Sequence, residues 1–275
     1  RSLYPADHTH TCLLFNVFNC LTAPLAQPSS RVDEDVHLEM LQGKSGFVTP
    51  AKIEDSMAAA CHISTGTSFG SGTLVDGMPF GLPRLCVLTN KHVLKSPEVA
   101  LQSKLTFKFE ERFKPCDYVK LQLRPDLGFF NHKDRDIDYA LCACEQEGDG
   151  VARLKCKPIS ISRESVAAPV EGQPVTIVQH PDGGFKVTSS WTVKDVTARG
   201  LTYLTDTKGG SSGSLVLNHT YDPVGLHFAG SADENYGCRM DAVLTHLEGQ
   251  LKVKNARALA DSDDRAEGVL GSVYS

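Results

Sequence analysis

From Ser56 onward the chain is a succession of short apolar or alternating runs, each closed by Gly, Pro or Asp. Ala58 to Thr65, Thr73 to Val75, Leu85 to Thr89, Leu105 to Phe109, Tyr118 to Leu123 and Tyr139 to Cys144 form a first set. Ser160 to Gly172 is more polar and suits a connector. A second set follows: Val175 to Val178, Phe185 to Val193, Leu201 to Leu204, Leu215 to Leu217 and Val224 to Phe228. These are strand lengths with strand composition, at the spacing of all-β sandwiches and barrels. One helical pattern stands out, Met240 to Leu251, with Val243, Leu244, Leu247 and Leu251 on one face. The prediction is an all-β, two-domain architecture with a C-terminal helix. Residues 1–54 form an N-terminal extension, partly disordered, with a Pro- and Ser-rich linker from Ala23 to Asp35. Residues 55–162 make the first half, and 163–275 the second half with the helix and a charged, fraying tail after Lys254.

Composition narrows the function classes. A hydrophobic share of 41% with 22% charged residues is ordinary for a globular core. No apolar run approaches the ~20 residues that span a bilayer, so no membrane span is expected. A net charge of −5 without a basic block argues against a nucleic-acid partner. The nine cysteines are odd in number and follow no framework spacing, which points weakly to a reducing, intracellular setting. Cys142 and Cys144 fall on one strand face, as small core hydrophobes would. His8, His10, Cys12 and Cys20 match no familiar zinc spacing, so no metal and no cofactor are expected.

Candidate chemistry centres on Thr205 to Asn218, TDTKGGSSGSLVLN. A Gly-rich turn between strands presents one hydroxyl rigidly and aims successive backbone N–H groups into a concavity. Ser212, inside Gly210-Ser211-Ser212-Gly213-Ser214, is the central hydroxyl. A serine becomes a nucleophile when a base takes its proton and amides stabilise the oxyanion. His92 closes an apolar strand after Asn90-Lys91, where a scaffold offers a side chain to a cleft. Asp138, directly before an apolar strand, is the candidate acid: that position could bury a carboxylate enough to hold an imidazole tautomer. Asp134 and Asp136 are near neighbours that spacing alone does not exclude.

Gly70-Ser71-Gly72-Thr73-Leu74-Val75, Leu88-Thr89-Asn90-Lys91-His92-Val93, Asp138-Tyr139-Ala140-Leu141 and Gly210-Ser211-Ser212-Gly213-Ser214, in that order, resemble the chymotrypsin-like serine peptidases. Within them the chain is most similar to the glutamyl-endopeptidase branch. The gaps of 46 residues from His92 to Asp138 and 74 from Asp138 to Ser212 match that family. So do Val224-Gly225-Leu226-His227 and His180-Pro181. The resemblance covers roughly residues 56–252. It implies two Greek-key β-barrels with a peptide cleft between them, the first holding His92 and Asp138, the second Ser212. It also implies an oxyanion hole from the N–H groups of Gly210 and Ser212, and a strand Phe228-Ala229-Gly230 that pairs with substrate. Ser211 stands where the trypsin branch has an aspartate, so activation by that salt bridge is not expected. Leu215 stands where proline is usual, and Val93 where a cysteine commonly follows the histidine.

The same resemblance places a specificity pocket between Thr207, five residues before Ser212, and His227, fifteen after it. A Thr hydroxyl and an imidazole N–H at those positions would hold a side-chain oxygen of the substrate. The expectation is an endopeptidase acting on protein or peptide, cutting after Glu and then Gln. No Asp at the pocket base favours trypsin-like cleavage, and Lys208 could supply a positive charge. The alternative is a catalytically weak or inactive peptide-binding domain of the same fold.

Overall fold

The structure, a computed structural model, describes residues 48–254 and 256, apart from 232. The candidate metal ligands His8, His10, Cys12 and Cys20, the linker and the tail lie outside the described residues. The first element is a helix, Pro50–Ala59, which straddles the boundary drawn at residue 54. Its start carries two signals the strand pattern overshadowed: the Thr49 hydroxyl accepts from Lys52 N, and Pro50 occupies the first turn. A Lys52–Asp222 ion pair ties it to the turn before Pro223. Short helices Pro97–Gln102 and Asp149–Arg153 were likewise not anticipated. The first begins at a Ser96 cap followed by Pro97 and Glu98.

The first set of runs gives β1 (Ala60–Ser64), β2 (Phe69–Asp76), β3 (Leu85–Thr89), β4 (Lys104–Phe107), β5 (Val119–Gln122), β6 (Phe129–Lys133) and β7 (Asp138–Ala143). They form one antiparallel sheet in the order β5-β4-β1-β2-β3-β7-β6. A bridge between Leu123 and Cys144 joins the continuation of β5 to that of β7, so the sheet curls back on itself. The second set gives β8 (Pro174–Gln179), β9 (Val187–Val196), β10 (Gly200–Tyr203), β11 (Leu215–Asn218), β12 (Pro223–Gly230) and β13 (Asn235–Arg239). These close into a barrel in the order β10-β13-β12-β11-β8-β9. The all-β expectation holds, and helix follows β13 over residues 240–254.

Three apolar clusters explain why the strands read as they do. One fills the curled first sheet, with Ile63, Leu74, Val87, Leu105 and Cys142. A second fills the barrel, with Val175, Ile177, Leu201, Tyr203 and Val216. The third lies along the seam, where Leu88, Tyr139 and Leu141 meet Leu215, Leu226 and the helix residues Val243, Leu244 and Leu247. Strand β7 belongs to two of these: Tyr139 and Leu141 face the seam, while Ala140 and Cys142 face the sheet interior. Side chains alternate across a strand, so a strand between two cores must be apolar at every position. That is why all six residues of β7 are buried. Cys144 joins Cys142 in the interior, as expected. All seven cysteines among the described residues are free thiols.

Candidate active site

His92 lies in a turn just after β3. The N–H groups of Val93 and Leu94 both donate to Asn90 O, at 3.1 and 3.0 Å. Asn90 itself is fully buried, and its Nδ2 donates to Asp138 O at 2.7 Å. One backbone turn is thereby fastened to the first residue of β7. The imidazole reaches the same residue: His92 Nδ1 is 2.7 Å from Asp138 Oδ2. The other carboxylate oxygen, Oδ1, accepts from Lys91 N at 2.7 Å and His92 N at 3.3 Å. Asp138 is 2% exposed. Burial pushes its pKa up, but the hydrogen bonds and charges of His92 and Lys133 outweigh it and hold the carboxyl below the usual range. Lys133 Nζ stands 3.2 Å from Oδ2.

The two other acids go elsewhere. Asp134 Oδ1 accepts from the N–H groups of Asp136 and Ile137, at 2.9 and 2.8 Å, which shapes the turn into β7. Its Oδ2 pairs with Arg199 at 2.6 Å and His132 at 3.2 Å. The Asp136 side chain makes no hydrogen bond among the described residues. Only Asp138 of the three touches His92.

Ser212 lies in a loop whose shape demands glycine twice. Gly210 has φ +92°, and a Cβ there would meet His180 O at 2.6 Å. Gly213 has φ +91°, and a Cβ would meet both Ser71 O and Thr89 Oγ1 at 2.1 Å. Both conformations are left-handed, where a side chain is strained even with space available. Three amides of the loop are already paired. Ser211 N donates to Lys208 O, Gly213 N to His227 O and Ser214 N to Ser211 O. The N–H groups of Gly210 and Ser212 have no partner among the described residues. The Ser212 hydroxyl makes no hydrogen bond to His92 there either; such bonds are often long in the absence of substrate.

Ser71, buried in the middle of β2, holds this loop from the opposite half. Its N–H donates to Ser212 O at 2.8 Å and its hydroxyl to Gly210 O at 2.8 Å. The same hydroxyl accepts from His180 N at 2.9 Å, and Ser71 O accepts from Thr89 Oγ1 at 2.7 Å. Ser71 belongs to the Gly70–Val75 motif, in which the resemblance assigns it no role. The signal was a lone serine at a position that β-strand patterning makes inward-facing.

His227, 2% exposed, lies on β12 with its Nδ1 2.8 Å from the Tyr203 hydroxyl. Burial, with His92 nearby, pushes its pKa down to about 4, so it is neutral near pH 7. Thr207 donates its hydroxyl to Asn235 Oδ1, and Asn235 Nδ2 donates to Thr205 O. Tyr203 and Asn235 are further residues that the sequence did not single out. Lys208 reaches toward Asp182 at 3.3 Å. Beyond Leu226, β12 has lost its pairing with β11 while keeping β13 on its other side. Phe228, Ala229 and Gly230 therefore present an edge, with a register shift between His227 and Ala229.

The comparisons with known proteins bear on the fold and the family. A solved Glu endopeptidase is similar at TM-score 0.53 and 18% identity, over 75% of this chain and 93% of its own. The inactive form of the Rv3671c protease of M. tuberculosis is similar at TM-score 0.52 and 15% identity, over 74% of this chain and 97% of that one. These likenesses show a shared chymotrypsin-like fold. An uncharacterized protein of Sinorhizobium fredii, y4fB, is 31% identical over 235 residues, which is 76% of this chain. The chain spans about a third, 33%, of that relative's length. Residues 70–226, more than half the chain, match the trypsin-like peptidase domain, and the chain belongs to that family.

Proposed function

We infer that the protein is a serine endopeptidase that hydrolyses peptide bonds through Ser212, His92 and Asp138. The observation that carries this reading is the 2.7 Å bond from His92 Nδ1 to a buried Asp138 oxygen. A carboxylate accepting from Nδ1–H leaves Nε2 as the basic nitrogen. Nε2 takes the Ser212 proton as Oγ attacks the substrate carbonyl. The free N–H groups of Gly210 and Ser212 are the donors available to the resulting oxyanion. His92 then gives the proton to the leaving amine, the C–N bond breaks, and an acyl-enzyme forms on Ser212. Water, activated by the same imidazole, releases the acid and restores the serine.

The substrate backbone adds as a strand to the edge Phe228–Gly230. Its side chain before the cut enters between Thr207 and His227, and the polar pair there favours Glu or Gln over apolar residues. The decisive experiment is digestion of a peptide library with wild-type and Ser212→Ala protein, sequencing the new ends. Cuts after Glu or Gln that vanish in the variant are expected. A library left intact by the wild type would overturn the reading in favour of a non-catalytic peptide-binding domain.

A further inference from the structure

Resting on that reading of the pocket, we propose that Asn235 is a specificity-determining residue that makes the site select glutamine ahead of glutamate. The chain of hydrogen bonds leaves little freedom. Asn235, 6% exposed, opens β13 opposite Gly230. One end of its amide faces the Thr205 carbonyl. A carbonyl can only accept, so that end is the NH₂ and the other end is Oδ1. Oδ1 in turn faces the Thr207 hydroxyl, which must be the donor. A hydroxyl has one proton. With that proton committed to Asn235, the Thr207 oxygen offers incoming substrate only lone pairs.

The other side of the pocket has the opposite polarity. Tyr203 is fully buried, and burial keeps its phenol protonated. Its partner among the described residues is His227 Nδ1. An unsatisfied buried O–H costs about 1–3 kcal/mol, so Tyr203 donates and Nδ1 accepts. The neutral imidazole then carries its proton on Nε2. The pocket thus presents one donor, His227 Nε2–H, and one acceptor, Thr207 Oγ1. A primary amide supplies the matching oxygen and NH₂ pair. A carboxylate supplies two acceptors and leaves the Thr207 oxygen facing a lone pair.

Charge acts in the same direction. The cavity of about 140 Å³ that Thr207 and Asn235 line is also lined by Asp206, Asp233 and Glu234. Lys194 neutralises Glu234 at 2.9 Å, while Lys208 is turned to Asp182. A carboxylate brought beside uncompensated acids is disfavoured by like charge as well as by desolvation. The Thr207–Asn235 pair also abuts the strand that would hold substrate: a Cβ on Gly230 would meet Asn235 Oδ1 at 2.6 Å and Thr207 Oγ1 at 3.2 Å.

The test uses three fluorogenic peptides that differ only in Gln, Glu or Ala before the cut. At pH 7.5 the wild type should give kcat/KM for Gln more than about tenfold above Glu. The Gln/Glu ratio should fall as pH drops toward ~4.3, because the protonated Glu side chain regains a donor. Thr207→Val should lower cleavage after Gln more than after Ala. Asn235→Ala frees the Thr207 proton and should shift the ratio several-fold toward Glu. If circular dichroism shows Asn235→Ala unfolded, the wild-type ratio and Thr207→Val decide. Glu cut as well as Gln overturns the proposal and leaves the Thr207–His227 pocket standing. Neither preferred over Ala overturns the pocket and the proposal together, and no cleavage of any peptide overturns the peptidase reading with both.

Discussion

Ser71 donates its hydroxyl to the Gly210 carbonyl at 2.8 Å, and so a strand of the first sheet sets the peptide plane beside Ser212 in the second barrel. The same oxygen accepts from His180 N, so one atom satisfies two buried backbone groups. Ser71→Ala would orphan both, at about 1–3 kcal/mol for each. We expect a stability loss of about 2–6 kcal/mol, the two together, with a kcat that falls more than KM rises. Urea unfolding and steady-state kinetics check this. A folded variant with wild-type kcat would remove Ser71 from the support of the proposed oxyanion donors.

Gly213 and Gly209 offer a matched pair. Gly213→Ala puts a Cβ 2.1 Å from Ser71 O in a left-handed backbone, whereas a Cβ at Gly209 meets nothing within 4 Å. Gly213→Ala should abolish labelling by a fluorophosphonate probe or prevent folding, and Gly209→Ala should label nearly normally. Equal labelling of both variants would contradict the described loop.

Replacement of the acids separates one from its neighbours. Asp138→Asn should keep the fold and lower kcat by about 10⁴-fold, because the amide stabilises the wrong imidazole tautomer. Asp136→Asn should be within about threefold of wild type, since its side chain makes no contact with His92. Asp134→Asn should affect stability more than kcat, given its bonds to Arg199 and the 136–137 turn. A crippled Asp136→Asn would mean the orienting acid has been misassigned.

Acid stability should report the buried imidazoles. His227 is held near 4 and His180 near 3, both chiefly by burial. In the unfolded chain each protonates below about 6.5. Lowered folded values mean that the unfolded state binds more protons between those limits, so stability falls as pH drops from about 6.5 toward 4. For His227 the loss is on the order of 3 kcal/mol across that window. Asp138 acts separately, because its lowered pKa confines its loss to pH below the usual carboxylate range. Urea midpoints from pH 7.5 to 4.5 should decline in wild type and decline less in His227→Gln. Parallel declines in both would show that His227 is not the neutral buried group described.

Much of this was legible in the chain. Alternation announced the strands, and the motifs in order singled out His92 and Asp138, which the structure brings to 2.7 Å. What stayed hidden were relationships between residues far apart. Asn235 looks like any polar strand residue until β13 pairs with β12 and sets it against Thr207 and Thr205. Tyr203 reads as core, and only the pairing of β13 with both β10 and β12 brings its hydroxyl to His227. Asp134 and Asp136 stayed in contention because turn geometry, not spacing, decides which carboxylate reaches an imidazole. The helix Pro50–Ala59 lost to the strand pattern although its cap was visible at Thr49-Pro50.

Strand β7 has one further implication. Its side chains are shared between two cores, and its first residue carries the carboxylate that meets His92. Neither half can loosen without dragging on the other through this strand, so unfolding is expected to be concerted, with no stable half-molecule. On the proposed reading, the same strand that joins the two cores also holds the acid of the triad, so loss of packing in either half would disarm the protein. Activity and far-ultraviolet signal should then fade at the same denaturant concentration.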